Sequence, residues 1–157
     1  MTRLRGRAPQ GLRVYDSAPA GHWSTTTMIG SIRLDGATTC MTIEAATDRD
    51  IFAVYVERIL LPALKPGDIV VMDNLSSHKE ERILKLIEQA GCQARFLPAY
   101  SPDLNPIEKM WSKIKTFLRG AKARSSRALN NAIAKALKKI TPTDAQNWFA
   151  SCGYSII

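Results

Sequence analysis

Asp68-Ile69-Val70-Val71-Met72-Asp73-Asn74-Leu75-Ser76-Ser77-His78-Lys79 is the stretch that decides the fold class. Four apolar residues in a row, three of them β-branched, are the pattern of a short strand buried on both faces. Ser77 and Glu80 then read as caps of a helix that runs through Ile83, Leu84 and Ile87, with Gly91 at the C′ position. Gln93 to Leu97 reads as a further strand. Strand, helix, strand is an α/β unit, and in open α/β sheets ligands bind outside the carboxyl ends of the strands. Asp73 stands at such an end, where a carboxylate points into a crevice; a turn or helix-capping aspartate is the plainer alternative.

Towards the N-terminus, residues 1–23 are rich in Arg, Gly and Pro and form a basic arm without a sustained period. Trp23 to Leu34 and Ala37 to Ile43 are β-prone, and Asp35-Gly36 between them signals a two-residue type I′ hairpin turn. Thr47-Asp48-Arg49-Asp50 has the form of a capping box that opens a helix with Ile51, Phe52, Tyr55 and Ile59 on its apolar side, closed by Pro62 and Pro66.

Towards the C-terminus, Asn105-Pro106 opens a helix with a capping Asn and a Pro at the first helical position. Ile107, Trp111, Ile114 and Leu118 make its apolar stripe, which leaves Glu108, Ser112, Lys115 and Arg119 on a flank. That flank is acidic at its N-terminal end and basic further on, a layout for holding a metal ion and then following a phosphate backbone. Glu108 at N3 also suits plain capping. Two more helices are expected, about Ser126 to Ile140 and Pro142 to Cys152.

The 157 residues suit one domain, 1–157, with a sizeable core. No uninterrupted apolar run reaches the length of a membrane span, and the basic start has no apolar segment of a signal peptide behind it. Cys40, Cys92 and Cys152 are scattered and read as reduced, mostly buried thiols of a cytoplasmic protein rather than a zinc site. Net charge is +8, and from Glu108 to Lys139 ten Lys and Arg stand against one acidic residue. With Arg3, Arg5, Arg7 and Arg13 this makes two basic clusters, which favours a polyanionic partner, nucleic acid first, over merely solvated faces.

The run Val70 to Lys79 resembles the second-aspartate motif of bacterial insertion-sequence transposases in the mariner-like superfamily. Phe96-Leu97-Pro98-Ala99-Tyr100-Ser101-Pro102-Asp103-Leu104-Asn105-Pro106-Ile107-Glu108-Lys109-Met110-Trp111 resembles their third-carboxylate motif, and the 34 residues between Asp73 and Glu108 match the group's interval. The likeness extends over nearly all of the chain, including Gly21-His22-Trp23.

The resemblance implies an RNase H-like mixed sheet flanked by helices, and DNA cleavage and strand transfer at transposon ends. It implies two Mg²⁺ (or Mn²⁺) ions, with Asp73 and Glu108 as ligands, stabilising the attacking and leaving oxygens. Arg3, Arg5, Arg7, His78, Lys109, Lys115, Arg119 and Lys122 are the expected DNA contacts, and Asn74, Tyr100 and Asn105 are auxiliary. The group's first aspartate sits on a strand shortly before an Arg-Gly-Arg-Ala-Pro-like loop, which here is residues 3–9. Neither Asp16 in the arm nor Asp35 in the hairpin turn substitutes for it. The expectation is therefore a domain missing its first central strand and its helix-turn-helix part, whether a remnant of an inactivated element or half of a frameshifted product. A non-catalytic DNA-binding remnant, associating with itself or with a full-length transposase, is the second reading. A nuclease for RNA–DNA hybrids is the third, disfavoured by the interval and the Pro-rich motif.

Overall fold

The structure, a computed structural model, describes residues 5–16 and 25–155. Arg3 and the Gly21-His22-Trp23 segment lie outside them. The fold is α/β: among the described residues, strands β1 (Thr27–Ile32), β2 (Thr38–Ile43), β3 (Ile69–Met72) and β4 (Gln93–Phe96) accompany five α-helices. These are α1 (Arg49–Tyr55), α2 (Glu81–Gln89), α3 (Pro106–Ala121), α4 (Ser126–Leu137) and α5 (Pro142–Ser151). The strands stand as two pairs rather than one sheet: β1 with β2 antiparallel, and β3 with β4 parallel. Residues 5–16 contain neither helix nor strand, as expected of the arm.

Local chemistry differs from expectation at several joints. The β1–β2 turn is a three-residue loop, Leu34 to Gly36. Gly36 N donates to Arg33 O and Arg33 N to Ala37 O, with Gly36 at φ +85 and Asp35 not in the left-handed region. A type I turn followed by a left-handed Gly replaces the type I′ turn. Gly36 is also required sterically, since a Cβ there would sit 2.9 Å from Pro142 N at the start of α5.

Asp48 alone caps α1, accepting from Ile51 N at 2.9 Å, so Thr47 forms no capping box. The helix continues through a π-helical turn (Val56–Leu60) and a 3₁₀ turn that tolerates Pro62 near its start. Ser77 caps nothing: it lies in a 3₁₀ turn, Ser76–Lys79, and Glu80 precedes α2 without a side-chain bond. Gly91, at φ +72, does end α2.

Two clusters form the core. One joins Phe52, Tyr55, Val56 and Leu60 to Met72, Ile83, Ile87 and Cys92. The other joins Met110, Ile114 and Leu118 of α3 to Ala132, Ile133 and Ala136 of α4. The buried line of α3 thus runs through Met110, at i, i+4, i+8, while Trp111 is half-buried beside it. The hairpin lies between the clusters: Ile29 and Met41 pack on the first, Met28, Ile32 and Cys40 on the second. Gly30 permits this, because a Cβ there would lie 2.6 Å from Thr39 O and 3.0 Å from the Trp111 ring. β3, expected to be buried on both faces, buries one only: Met72 is covered, but Ile69 is 60% and Val71 39% exposed. The cysteines are free thiols, and burial pushes Cys40 up to about 11.

Candidate active site

The β3–β4 pair places Asp73. Leu97 N donates to Met72 O at 2.8 Å, so the two strands stay joined up to their carboxyl ends and Asp73 is the next residue out. The chain then turns back through Ser76–Lys79, closed by His78 N donating to Leu75 O. This turn brings the His78 ring over Phe52 of α1, with centroids 4.1 Å apart. It also brings His78 Nδ1 within 2.6 Å of Asp73 Oδ1. Both atoms are shut off from solvent and neither makes a well-directed hydrogen bond; the contact is a close approach only. The Asp73 side chain as a whole remains 48% exposed, so its other oxygen faces outward.

Helix α3 places Glu108. Asn105 accepts from Ile107 N at a long 3.4 Å, Pro106 holds the first helical position, and Glu108 is third. There its carboxylate sits in the positive field of the helix N-terminus. Glu108 is exposed, and so are Ser112, Lys115 and Arg119 on the same flank.

Both positions line one cavity of about 580 Å³, together with His78 and Asn105. Its walls include Gly30 to Arg33 of the β1 end and Ile69 to Met72 of β3. Among the described residues each of these strands has one neighbour, so each has an unpaired edge, and both strands line this space. Arg33 clamps the far end, bonding both oxygens of Asp68. The Arg33 guanidinium and the Lys65 backbone N–H together lower the Asp68 carboxyl to about 2.

The other expected residues are spread more widely. Asn74 is exposed in the loop after β3, and Tyr100 is fully exposed in the loop before α3. Lys109 donates to Ser151 Oγ at 2.6 Å and Lys122 pairs with Asp16. Arg5 and Arg7 are exposed in the arm. Sequence reading missed the Arg33–Asp68 clamp and the Phe52 support of His78. The one signal for the hairpin's close packing was a Gly within a β pattern, Gly30.

Asp73 and Glu108 are hard oxygen donors of the kind Mg²⁺ takes; Asp73 Oδ1 lies against His78, which leaves the other Asp73 oxygen towards the cavity. Yet among the described residues no group of three or more His, Cys, Asp or Glu could hold an ion. The donors are right in kind and short in number for a complete centre.

The model of the DDE superfamily endonuclease family matches residues 1–130, a span that includes both carboxylates and the whole cavity wall from β1 to β3. The chain belongs to this family. No curated protein matches it. Among the described residues no helix is long and apolar enough to cross a membrane.

Proposed function

We propose, from that membership, that the chain is the greater part of a transposase catalytic domain of the mariner-like insertion-sequence branch, cutting and joining DNA at transposon ends in the cytoplasm. One observation carries the reading: Asp73, at the end of β3, and Glu108, in the first turn of α3, line a single cavity. Asp73 and Glu108 would hold Mg²⁺ (or Mn²⁺) there, which supplies positive charge to a phosphodiester's oxygens. The chain's own residues do the placing. His78, backed by Phe52, limits the rotation of Asp73; Asn105 and Pro106 start α3 so that Glu108 faces the cavity. Lys115 and Arg119, further along the Glu108 flank, meet the phosphate backbone.

The shortage of donors and the two unpaired edges have one remedy in this reading. A strand from outside the described residues enters between β1 and β3 and brings a third carboxylate to the cavity. The same shortage supports a second reading, in which the chain alone binds DNA without cutting it and pairs with another copy or a complete transposase through its open edges.

Cleavage of transposon-end DNA in Mg²⁺ tests both. The 157-residue chain should not cut. A protein extended by an upstream apolar strand ending in Asp, with end-binding domains, should cut, and Asp73→Ala or Glu108→Ala should abolish cutting while DNA binding persists. Robust cutting by the 157-residue chain alone would overturn the incomplete-site reading.

A further inference from the structure

Tyr100 is fully exposed and sits at φ +58, in the left-handed region. A bulky residue there is strained, where Asn or Gly is not. Strain of this kind is retained where a side chain is wanted for something other than folding. The backbone that carries the ring is also held at several points. Its loop begins where Leu97 N bonds Met72 O, next to Asp73, and ends at Asn105, the cap of the Glu108 helix. Within it Ser101 Oγ donates to Ala99 O, Leu104 N to Ser101 O and Asn105 N to Pro102 O. Tyr154 Oη donates to Leu104 O. Pro98, Pro102 and Pro106 remove further freedom. Phe96, the last residue of β4 before this loop, is exposed, and Lys79 Nζ stands 5.8 Å over its ring.

We infer that Tyr100 is a stacking platform for an unpaired nucleobase of DNA bound at the Asp73–Glu108 cavity. The inference rests on the proposed function and adds a ligand chemistry to it. Every base has an apolar face, so one rigid exposed ring can hold any base that has left its pair, while cations hold the backbone. A fully paired duplex offers no such face and should not feel the ring.

The test is a fluorescence titration of the 157-residue chain, without divalent metal, with two duplexes that differ at one point. One carries 2-aminopurine opposite an abasic position; the other carries it paired with thymine. The wild-type chain and Tyr100→Phe should bind the first about tenfold more tightly than the second, with quenching of the probe. Tyr100→Ala and Tyr100→Asn should lose the preference yet bind the paired duplex as before, and Tyr100→Asn should melt at a higher temperature than wild type. A preference that survives Tyr100→Ala, or is absent from wild type, overturns the inference and leaves the proposed function standing. A lower melting temperature in Tyr100→Asn makes the ring structural, or a protein contact, and overturns it as well. Failure of the wild-type chain to bind either duplex removes both readings.

Discussion

The two strand pairs, one of six-residue and one of four-residue strands, differ in how they are covered. The β1–β2 hairpin gives one face to each core cluster, Ile29 and Met41 to the first, Met28, Ile32 and Cys40 to the second. The β3–β4 pair packs on the first cluster only, and its other face shows Ile69 and Val71 to solvent. Their sequences give little warning. The hairpin, rich in Thr and interrupted by Gly30, reads as the weaker of the two, whereas Ile69-Val70-Val71-Met72 reads as the better buried. A hydrophobic run states that a strand prefers cover on both faces; it does not state that cover is supplied. The apolar exposure of β3 is therefore a statement about the cavity beside it.

The largest effects should come from the clusters that the hairpin joins. Ile83 and Met110 are fully buried, one in each. Ile83→Ala and Met110→Ala should each cost about 2–5 kcal/mol, from lost transfer energy and the cavity left behind. Because the hairpin couples both clusters, urea unfolding followed by far-ultraviolet dichroism and by the fluorescence of Trp111 and Trp148 should give one coincident transition in wild type and in both variants. Separate transitions would show two independent halves and break the comparison.

A smaller effect should attend acid. Arg33 follows β1 and Asp68 precedes β3, so their ion pair ties the two regions together beside the cavity. The Asp68 carboxyl is lower in the folded protein, about 2, than its ordinary 3.8. A depressed folded value means stability that is present above about pH 4 and lost as pH falls towards 2. Asp68→Asn should therefore be destabilised at neutral pH, and the gap to wild type should close over that window. A gap independent of pH would mean that Arg33 does not hold Asp68 in solution.

The smallest effect should come from the uncovered face. Ile69→Thr should change stability by no more than about 0.5 kcal/mol in a thermal melt, as for other exposed positions. A large loss would show that β3 is covered in solution, and would place a partner on that face.

The placement of Asp73 and Glu108 was legible because it is set locally. Asp73 at a strand end and Glu108 behind Asn105-Pro106 follow from short patterns that backbone chemistry enforces, and both line the cavity. What was not legible depends on how the chain turns between elements. Asp35-Gly36 has the composition of a type I′ turn, but the tip packs against Thr141 and Pro142, and a longer loop with one left-handed Gly fits there. Ser77 looks like a cap, yet a 3₁₀ turn takes it and brings His78 to Asp73. The α3 stripe shifted from Trp111 to Met110 because the indole lies against Gly30 of the hairpin while the thinner side chain fills the α3–α4 contact. Arg33 and Asp68 are 35 residues apart, and no local pattern links them.

In the proposed function Asp73 and Glu108 act as one oxygen-donor pair at the cavity. Manganese binding, followed by the loss of the free-ion electron paramagnetic signal, tests this without any need for catalysis. The 157-residue chain should bind one ion weakly, and Asp73→Asn and Glu108→Gln should each abolish that binding while leaving the melting temperature close to wild type. Binding of the same strength in wild type and in both variants would place the ion elsewhere and contradict the shared site.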